Sequence, residues 1–424
     1  MPQNREGVAH HNSLYLIAAI ATIFMTMAIA VQPLFLYENL NIARDNAGFI
    51  NSNILVITEV IDLLVIGYFG YLSDRFGRIP IIFAGFIIAG VAASLTPFSA
   101  QIGAIAGVGG LAMFYFFRVA MSLGTTAVWP QLVTLAGDFS IPSTRVRLMA
   151  NAGFMMAFGA ALSYAVLMRI PQEIGVSETM LFTAGLAFTG AWLSIIFMKD
   201  VGPRLKEPKI PFDRVALLLR RERKLRLAFL SSFTSRNDIV IIGLFLMIWH
   251  VYFADLVGMD HAYVAGRAGM IIGVVGLTAL ISIPFWTAAI SRWGKVAATM
   301  ASQALIGAGF IGFALIINPF TLWPYIPAVL VGVGQAGCLL APQILLIDIV
   351  PEDIRGSTLG AFNIAGCAGI IVLLQTGGIL FDTWGPPAPF AMAGLASFMV
   401  AMYALYTMRT EGEVGEAKSA LEAS

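Results

Sequence analysis

Gly70-Tyr71-Leu72-Ser73-Asp74-Arg75-Phe76-Gly77-Arg78 is a short charged island between two long apolar runs, near 46–72 and 79–98. Neither run alternates polar and apolar residues, which argues against the strands of a transmembrane barrel. Apolar segments of about 20 residues cross roughly 30 Å of hydrocarbon when helical. The island therefore reads as a tight turn between two membrane helices.

Composition extends that reading to the whole chain. Of 424 residues, 58% are hydrophobic and 12% charged, with a mean hydropathy of +0.84. Soluble domains carry about 45–50% apolar and about 25% charged residues, so bilayer is the solvent implied. Cys338 and Cys367 both fall inside apolar runs and suggest no disulfide framework or metal–thiolate cluster. The polar start, up to Asn12, is followed by an apolar run without a small-residue cleavage site, so that run is expected to stay as a first helix.

Further apolar runs lie near 13–37, 110–137, 148–170 and 179–198, then near 227–254, 264–289, 295–317, 321–347, 357–381 and 386–408. The expectation is an all-α membrane protein of twelve transmembrane helices in two six-helix pseudo-repeats around a central cavity. Its parts would be an N-terminal bundle, 1–198, a basic linker, 199–226, a C-terminal bundle, 227–408, and a tail, 409–424. The linker carries Pro203, Pro208 and Pro211 and then Arg220, Arg221, Arg223, Lys224 and Arg226. With twelve spans, the linker, both termini and most loop arginines and lysines share one side, whereas the opposite loops hold only Arg44, Arg169 and Arg267. That asymmetry predicts a multi-pass protein of a bacterial-type inner membrane, or a membrane derived from it, with both termini cytoplasmic.

The halves share features in register. Asp138-Phe-Ser-Ile-Pro-Ser-Thr-Arg145 closes the fourth run, and Asp348-Ile-Val-Pro-Glu-Asp-Ile-Arg355 closes the tenth. Asp74-Arg-Phe-Gly-Arg78 has a weaker counterpart in Ser291-Arg-Trp-Gly-Lys295. Two matched pairs at nearly constant offset point to a duplication, and parallel repeats are a known transporter plan.

The Gly-x-Leu-Ser-Asp-Arg-x-Gly-Arg loop, the duplicated Asp/Arg turn and Arg118, twelve residues before Pro130, together resemble the major facilitator superfamily from about Leu14 to Met408. The resemblance implies alternating access. Gly70, Asp74, Arg75, Gly77 and Arg78, with Asp138, Arg145, Asp348 and Arg355, would then form the conformational latch. It also implies a cavity-lining or proton-coupling role for Arg118. Two departures stand out. The family's fourth-helix pattern usually continues Arg-x-x-x-Gly, whereas here Ser122 stands at the glycine. The Gly-Pro pair that drug antiporters of the family carry in helix five is absent from Gly153–Ala161. In its apolar first helix and intramembrane acids the chain is also similar to the iron-transporting major facilitators of magnetosome membranes.

Ionisable groups inside membrane helices cost about 2.5–3.5 kcal/mol each by insertion scales and mark function by default. Glu59 and Asp62, three residues apart on one helical face, suit a proton relay or a cation site that fills as protons leave. The alternative is that they pair with Arg118 simply to hold the bundle. Arg236 and Asp238 in helix seven cannot face each other and must seek partners on other helices or water in a cavity. Met25, Met27, Met155 and Met156 read as packing residues before soft metal ligands. His250, Asp255, Asp260 and His261 form either a solvated polar loop or a cation collector, with no standard metal spacing.

No Gly-rich phosphate loop followed by Lys-Ser/Thr occurs, and no nucleophilic triad or His-Glu-x-x-His, so neither an ATP-driven pump nor an enzyme is expected. The expected partners are a small-molecule or ion substrate, protons and membrane lipid, with no nucleic acid, no cofactor, no assigned metal site and no set oligomeric state. The reading is a proton-coupled secondary transporter for a small polar or cationic solute, a metal ion such as iron among the candidates. A multidrug efflux transporter and a non-transporting scaffold or sensor are the two alternatives.

Overall fold

The computed structural model describes residues 3–139, 145–199, 212–235, 238–351 and 354–422, and these residues form helices and turns with no strand among them. The first crossing is α1, Gln3–Ala30, continued after a bend at Val31 by α2, Gln32–Glu38, where Pro33 sits in the first turn and needs no N–H partner. The second is α3, Ala47–Phe76, and the third joins α4, Arg78–Leu95, to α5, Ser99–Ala106. The fourth is α6, Gly110–Asp138; the fifth joins α7, Arg145–Ala165, to α8, Ile170–Ile174; the sixth is α9, Val176–Phe197. A short helix, α10, Phe212–Arg221, precedes the seventh.

The seventh crossing is assembled from pieces. These are α11, Arg223–Ser235, α12, Asp238–Ile241, a wide π-helical turn over Ile242–Leu246, and α13, Met247–Phe253. Then follow α14, His261–Trp293; α15, Lys295–Ala314; α16, Tyr325–Ile349; α17, Arg355–Trp384; and α18, Pro387–Glu422. Eleven crossings among the described residues are long and apolar enough to span a membrane, and the interrupted seventh completes the twelve.

Two compact units emerge, one of residues 1–207 with 243–276, the other of 208–242 with 277–424. In the first, Leu14, Ile17 and Phe24 of α1 pack with Phe86 of α4, Met121 and Leu132 of α6 and Ala187 of α9. The close approach of α4 and α6 depends on two glycines. A Cβ on Gly85 would lie 2.6 Å from the Gly124 carbonyl oxygen, and one on Gly124 would lie 2.5 Å from the Gly85 oxygen. Small residues at such crossings are how membrane helices gain packing without a hydrophobic driving force between them.

In the second unit Trp286 of α14 is buried among Ala289, Ala298, Ala336 and Ala341, and its indole N–H donates to the Val333 carbonyl at 2.6 Å. A separate core joins Leu225 and Ala228 of α11 to Leu346, Val350 and Phe362. Both units expose large apolar side chains, among them Leu64, Trp192 and Ile281, as helices facing lipid do.

Candidate functional site

The first unit gathers a polar network on α2, α3 and α6. Ser122 Oγ of α6 donates to Asp62 Oδ2 of α3 at 2.5 Å. Asp62 Oδ1 is buried and has no hydrogen-bond partner among the described residues. Thr126, one turn further along α6, and the charges of Glu59 and Arg118 also act on this carboxyl. Glu59 is half-buried one turn before Asp62, so the shared face read from the spacing brings both acids to the same region.

Arg118 is only 5% exposed. Its Nε donates to Gln32 Oε1 at 3.1 Å, so its hydrogen-bond partner is an amide of α2 and not the carboxylate of Glu59 or Asp62. Gln32 Nε2 in turn donates to Asn51 Oδ1 at 3.3 Å and to the Asn51 carbonyl at 3.1 Å, while Asn51 Nδ2 donates to the Ala47 carbonyl at 2.9 Å. A cation and an acid thus share one low-dielectric region without neutralising each other by direct contact. In such surroundings their attraction exceeds its value in water severalfold.

The latch residues are placed as two corners. In the first unit Arg78 Nε pairs with Asp138 Oδ2 at 2.6 Å and Arg78 Nη1 with Asp74 Oδ1 at 3.2 Å. Ser73 Oγ and Gln131 Oε1 accept two further hydrogen bonds from Nη1, at 3.0 and 3.3 Å. Gly77 makes the turn at φ 98°, and Gly294 makes the matching turn at φ 81° in the second unit. There Lys295 pairs with Asp348. Ser291, at the place of Asp74, donates to the Thr287 carbonyl at 2.9 Å instead. Arg75 is exposed and stacks on Phe76, Gly70 sits where a Cβ would meet nothing within 4 Å, and Arg355 opens α17.

Arg236 lies outside the described residues, as do the side chains of Asp238 and Arg145. Met27 and Met156 are buried packing residues. His250 is buried and its Nδ1 donates to the Leu246 carbonyl at 2.9 Å. No group of three or more His, Cys, Asp or Glu among the described residues is placed to hold a metal ion. Sequence reasoning passed over Gln32, Asn51 and Ser122. The signal for Ser122 was present, since it is the hydroxyl standing where the resembling pattern has glycine.

The comparisons with known proteins agree with this architecture. Magnetosome protein MamH of Paramagnetospirillum magneticum is 49% identical over 408 residues, covering 96% of this chain and 94% of that protein. Magnetosome protein MamZ of Magnetospirillum gryphiswaldense is 35% identical over 401 residues, covering 94% of this chain but 62% of that longer protein. A multi-drug resistance efflux pump, PmrA of Streptococcus pneumoniae, is 26% identical over 182 residues, 42% of this chain and 43% of the pump. Among solved structures, the nucleoside transporter NupG superposes with a TM-score of 0.69 at 13% identity, over 94% of this chain and 98% of that one. The xylose transporter XylE from E. coli, in an inward open conformation, gives 0.68 at 14% identity, over 93% and 96%. At such identities these two speak to the fold alone. The Major Facilitator Superfamily model matches residues 14–373 and 260–423. Together with the paired corners of the two repeats, this means that the chain belongs to the Major Facilitator Superfamily.

Proposed function

We propose that this protein is a secondary active transporter that moves a small polar or cationic solute by proton-coupled alternating access. Asp62 is the proton- or cation-accepting group, Glu59 the second acid on its face, and Arg118 the charge that Asp62 meets when its proton leaves. The observation that carries the reading is the half-buried Asp62 carboxyl, which has one oxygen held by Ser122 and the other buried without a hydrogen bond among the described residues. Keeping an acid in that state costs stability, and an apolar residue would pack there at no such cost. Arg236 and Asp238 are proposed as cavity residues of the seventh crossing. The corners at Arg78 and Lys295 would latch one state of the cycle, with Arg145 and Arg355 beside them.

The acids favour a positive substrate over a lipophilic one, and a metal ion such as iron belongs to that class. The likeness to magnetosome proteins favours a membrane of that kind, derived from an inner membrane, with the termini and the linker, 199–226, on the cytoplasmic side. Between the bundles at 1–198 and 227–408 the substrate would pass as the halves rock.

The test is flux into liposomes that hold the purified protein under an imposed pH gradient, read with a metal-sensitive and a pH-sensitive dye. Gradient-driven metal uptake that falls at least tenfold in Asp62→Asn is the expected result. Full uptake without a gradient in the double variant Glu59→Gln, Asp62→Asn would overturn the coupling.

A second reading is multidrug efflux, favoured by the partial likeness to the efflux pump PmrA. Drug susceptibility of a strain lacking the protein separates it from the first. If neither metal nor drug moves in any assay, the scaffold reading takes over.

A further inference from the structure

The first unit contains a second ionisable cluster, at the end of α3 that lies a full helix length from Gly70–Arg78. Tyr37 Oη of α2 donates to Asp255 Oδ2 at 2.6 Å, in the turn after α13. His261, at the start of α14, sets its Nε2 3.0 Å from Asp255 Oδ1 and its Nδ1 2.8 Å from the Val251 carbonyl oxygen. The Tyr37 ring lies over the imidazole with centroids 4.3 Å apart, and Tyr252 meets the phenol edge-on at 5.1 Å.

Both ring nitrogens of His261 therefore face acceptors. A carbonyl cannot donate, and an ionised carboxylate cannot either. A neutral imidazole has one N–H and satisfies one of these contacts; the imidazolium satisfies both. The charges around the ring act the same way. Glu38 beside Tyr37, Asp255 itself and Asp260 beside His261 are all acidic, and Arg44 stacks on the Phe253 ring at 5.0 Å. The hydrogen bond from Tyr37, and then the charge of His261, hold the Asp255 carboxyl below the usual carboxylate range. The acceptor therefore stays ionised where histidines titrate.

We infer that His261, clamped between Asp255 and the Val251 carbonyl, is a proton-binding site that braces Asp255, the carboxylate that Tyr37 of α2 grips. α2 belongs to the first repeat by sequence, α13 and α14 to the second. With the proton bound, the phenol, carboxylate and imidazolium form one continuous tie. When the proton leaves, one hydrogen bond and the ion pair go with it, while the Tyr37–Asp255 hydrogen bond stays. The ion pair also fails in strong acid, as Asp255 takes up a proton, so it holds across a window of pH and not below a single threshold. Proton binding at His261 stands apart from the transport reading above.

The chain has four histidines, so ring nitrogens labelled with 15N can be followed singly in lipid nanodiscs from about pH 5 to 9, a range spanning histidine titration. His261→Gln assigns the signal. The expected result is a ring that takes up its second proton within this range and holds it more weakly in Asp255→Asn. Tyr37→Phe has the smaller effect. A singly protonated ring at every pH above about 5, or a midpoint unmoved by Asp255→Asn, would overturn the site. Glu59→Gln and Asp62→Asn should leave the titration in place, so failure of the transport reading is told apart from failure here.

Discussion

Lys295 meets Asp348 at the corner of the second repeat that corresponds to the one where Arg78 meets Asp138 in the first. In both, a glycine with positive φ turns the chain, the next residue is basic and begins a helix, and its partner lies at the end of the following crossing. The corners are not equal. The side chains of Arg78 and Asp138 are 16% and 17% exposed, those of Lys295 and Asp348 39% and 45%. Arg78 also has Asp74, Ser73 and Gln131 as partners.

Asp138→Asn should therefore lower stability by about 1–3 kcal/mol, because a largely buried guanidinium loses its shortest charged contact. Asp348→Asn should cost less than about 1 kcal/mol, as exposed pairs do. Thermal unfolding of the two purified variants in one detergent checks the order. Equal losses would mean that burial does not separate the corners.

Ser122→Ala removes the hydroxyl that donates to Asp62 at 2.5 Å and leaves the carboxyl in place. Hydrogen bonds to charged groups contribute about 1.5–3 kcal/mol. Without this one Asp62 loses the hydroxyl that holds it, so gradient-driven uptake should fall about tenfold. Ser122→Gly, the residue of the resembling pattern, should behave likewise. Uptake rates measured in liposomes decide it, and an unchanged rate would separate Ser122 from coupling.

Gln32→Leu strips Arg118 of its amide partner while keeping an apolar side chain of similar size. The guanidinium is then buried with a lost hydrogen bond, and Asn51 loses the donor to its side chain and carbonyl. A loss of about 1–3 kcal/mol is expected, and Gln32→Glu should instead strengthen the contact to Arg118 at the expense of the field on Asp62. Melting temperature together with transport rate distinguishes the two: the first variant should lose stability, the second should lose rate.

Gly124→Ala should destabilise by about 1–3 kcal/mol, since its Cβ would lie 2.5 Å from the Gly85 carbonyl oxygen and backbone cannot move aside cheaply. Gly70→Ala, in α3 with no atom within 4 Å of the new Cβ, should be neutral or stabilising by up to about 1 kcal/mol. Any effect of that second change on transport is then not an effect on folding. Unfolding midpoints and uptake rates measured side by side test both.

Much of the architecture was legible because lipid imposes a simple rule: backbone polar groups must be satisfied within the helix, so apolar length reports crossings directly. The Gly70–Arg78 turn and its weaker counterpart at Ser291–Lys295 were visible as short charged stretches between apolar runs, and each proves to turn on a glycine with positive φ. The seventh crossing was harder. Its composition reads as one apolar run, whereas its backbone changes hydrogen-bonding pattern at Ile242–Leu246, and Tyr164 fills the space beside Gly243, where a Cβ would lie 2.7 Å from its hydroxyl. Such a wide turn leaves no compositional mark. Glu59 and Asp62 could be singled out from charge alone, but their neighbours could not. Gln32 and Asn51 are neutral amides whose importance comes from meeting Arg118 across α2, α3 and α6, and spacing along one helix does not encode that meeting. The Asp255–His261 pair was visible as a cluster of polar letters, and only Tyr37, more than two hundred residues earlier in the chain, gives it direction.

The unequal corners have a consequence for the electrolyte around the protein. At physiological ionic strength counter-ions screen exposed charges beyond about 8 Å, and concentrated salt shortens that reach to about 3 Å. The water-facing Lys295–Asp348 tie will weaken as salt is added, whereas the sheltered Arg78 cluster will hardly notice. Osmotic stress would thus act on one repeat before the other, making the bathing solution itself an asymmetric input to a duplicated fold.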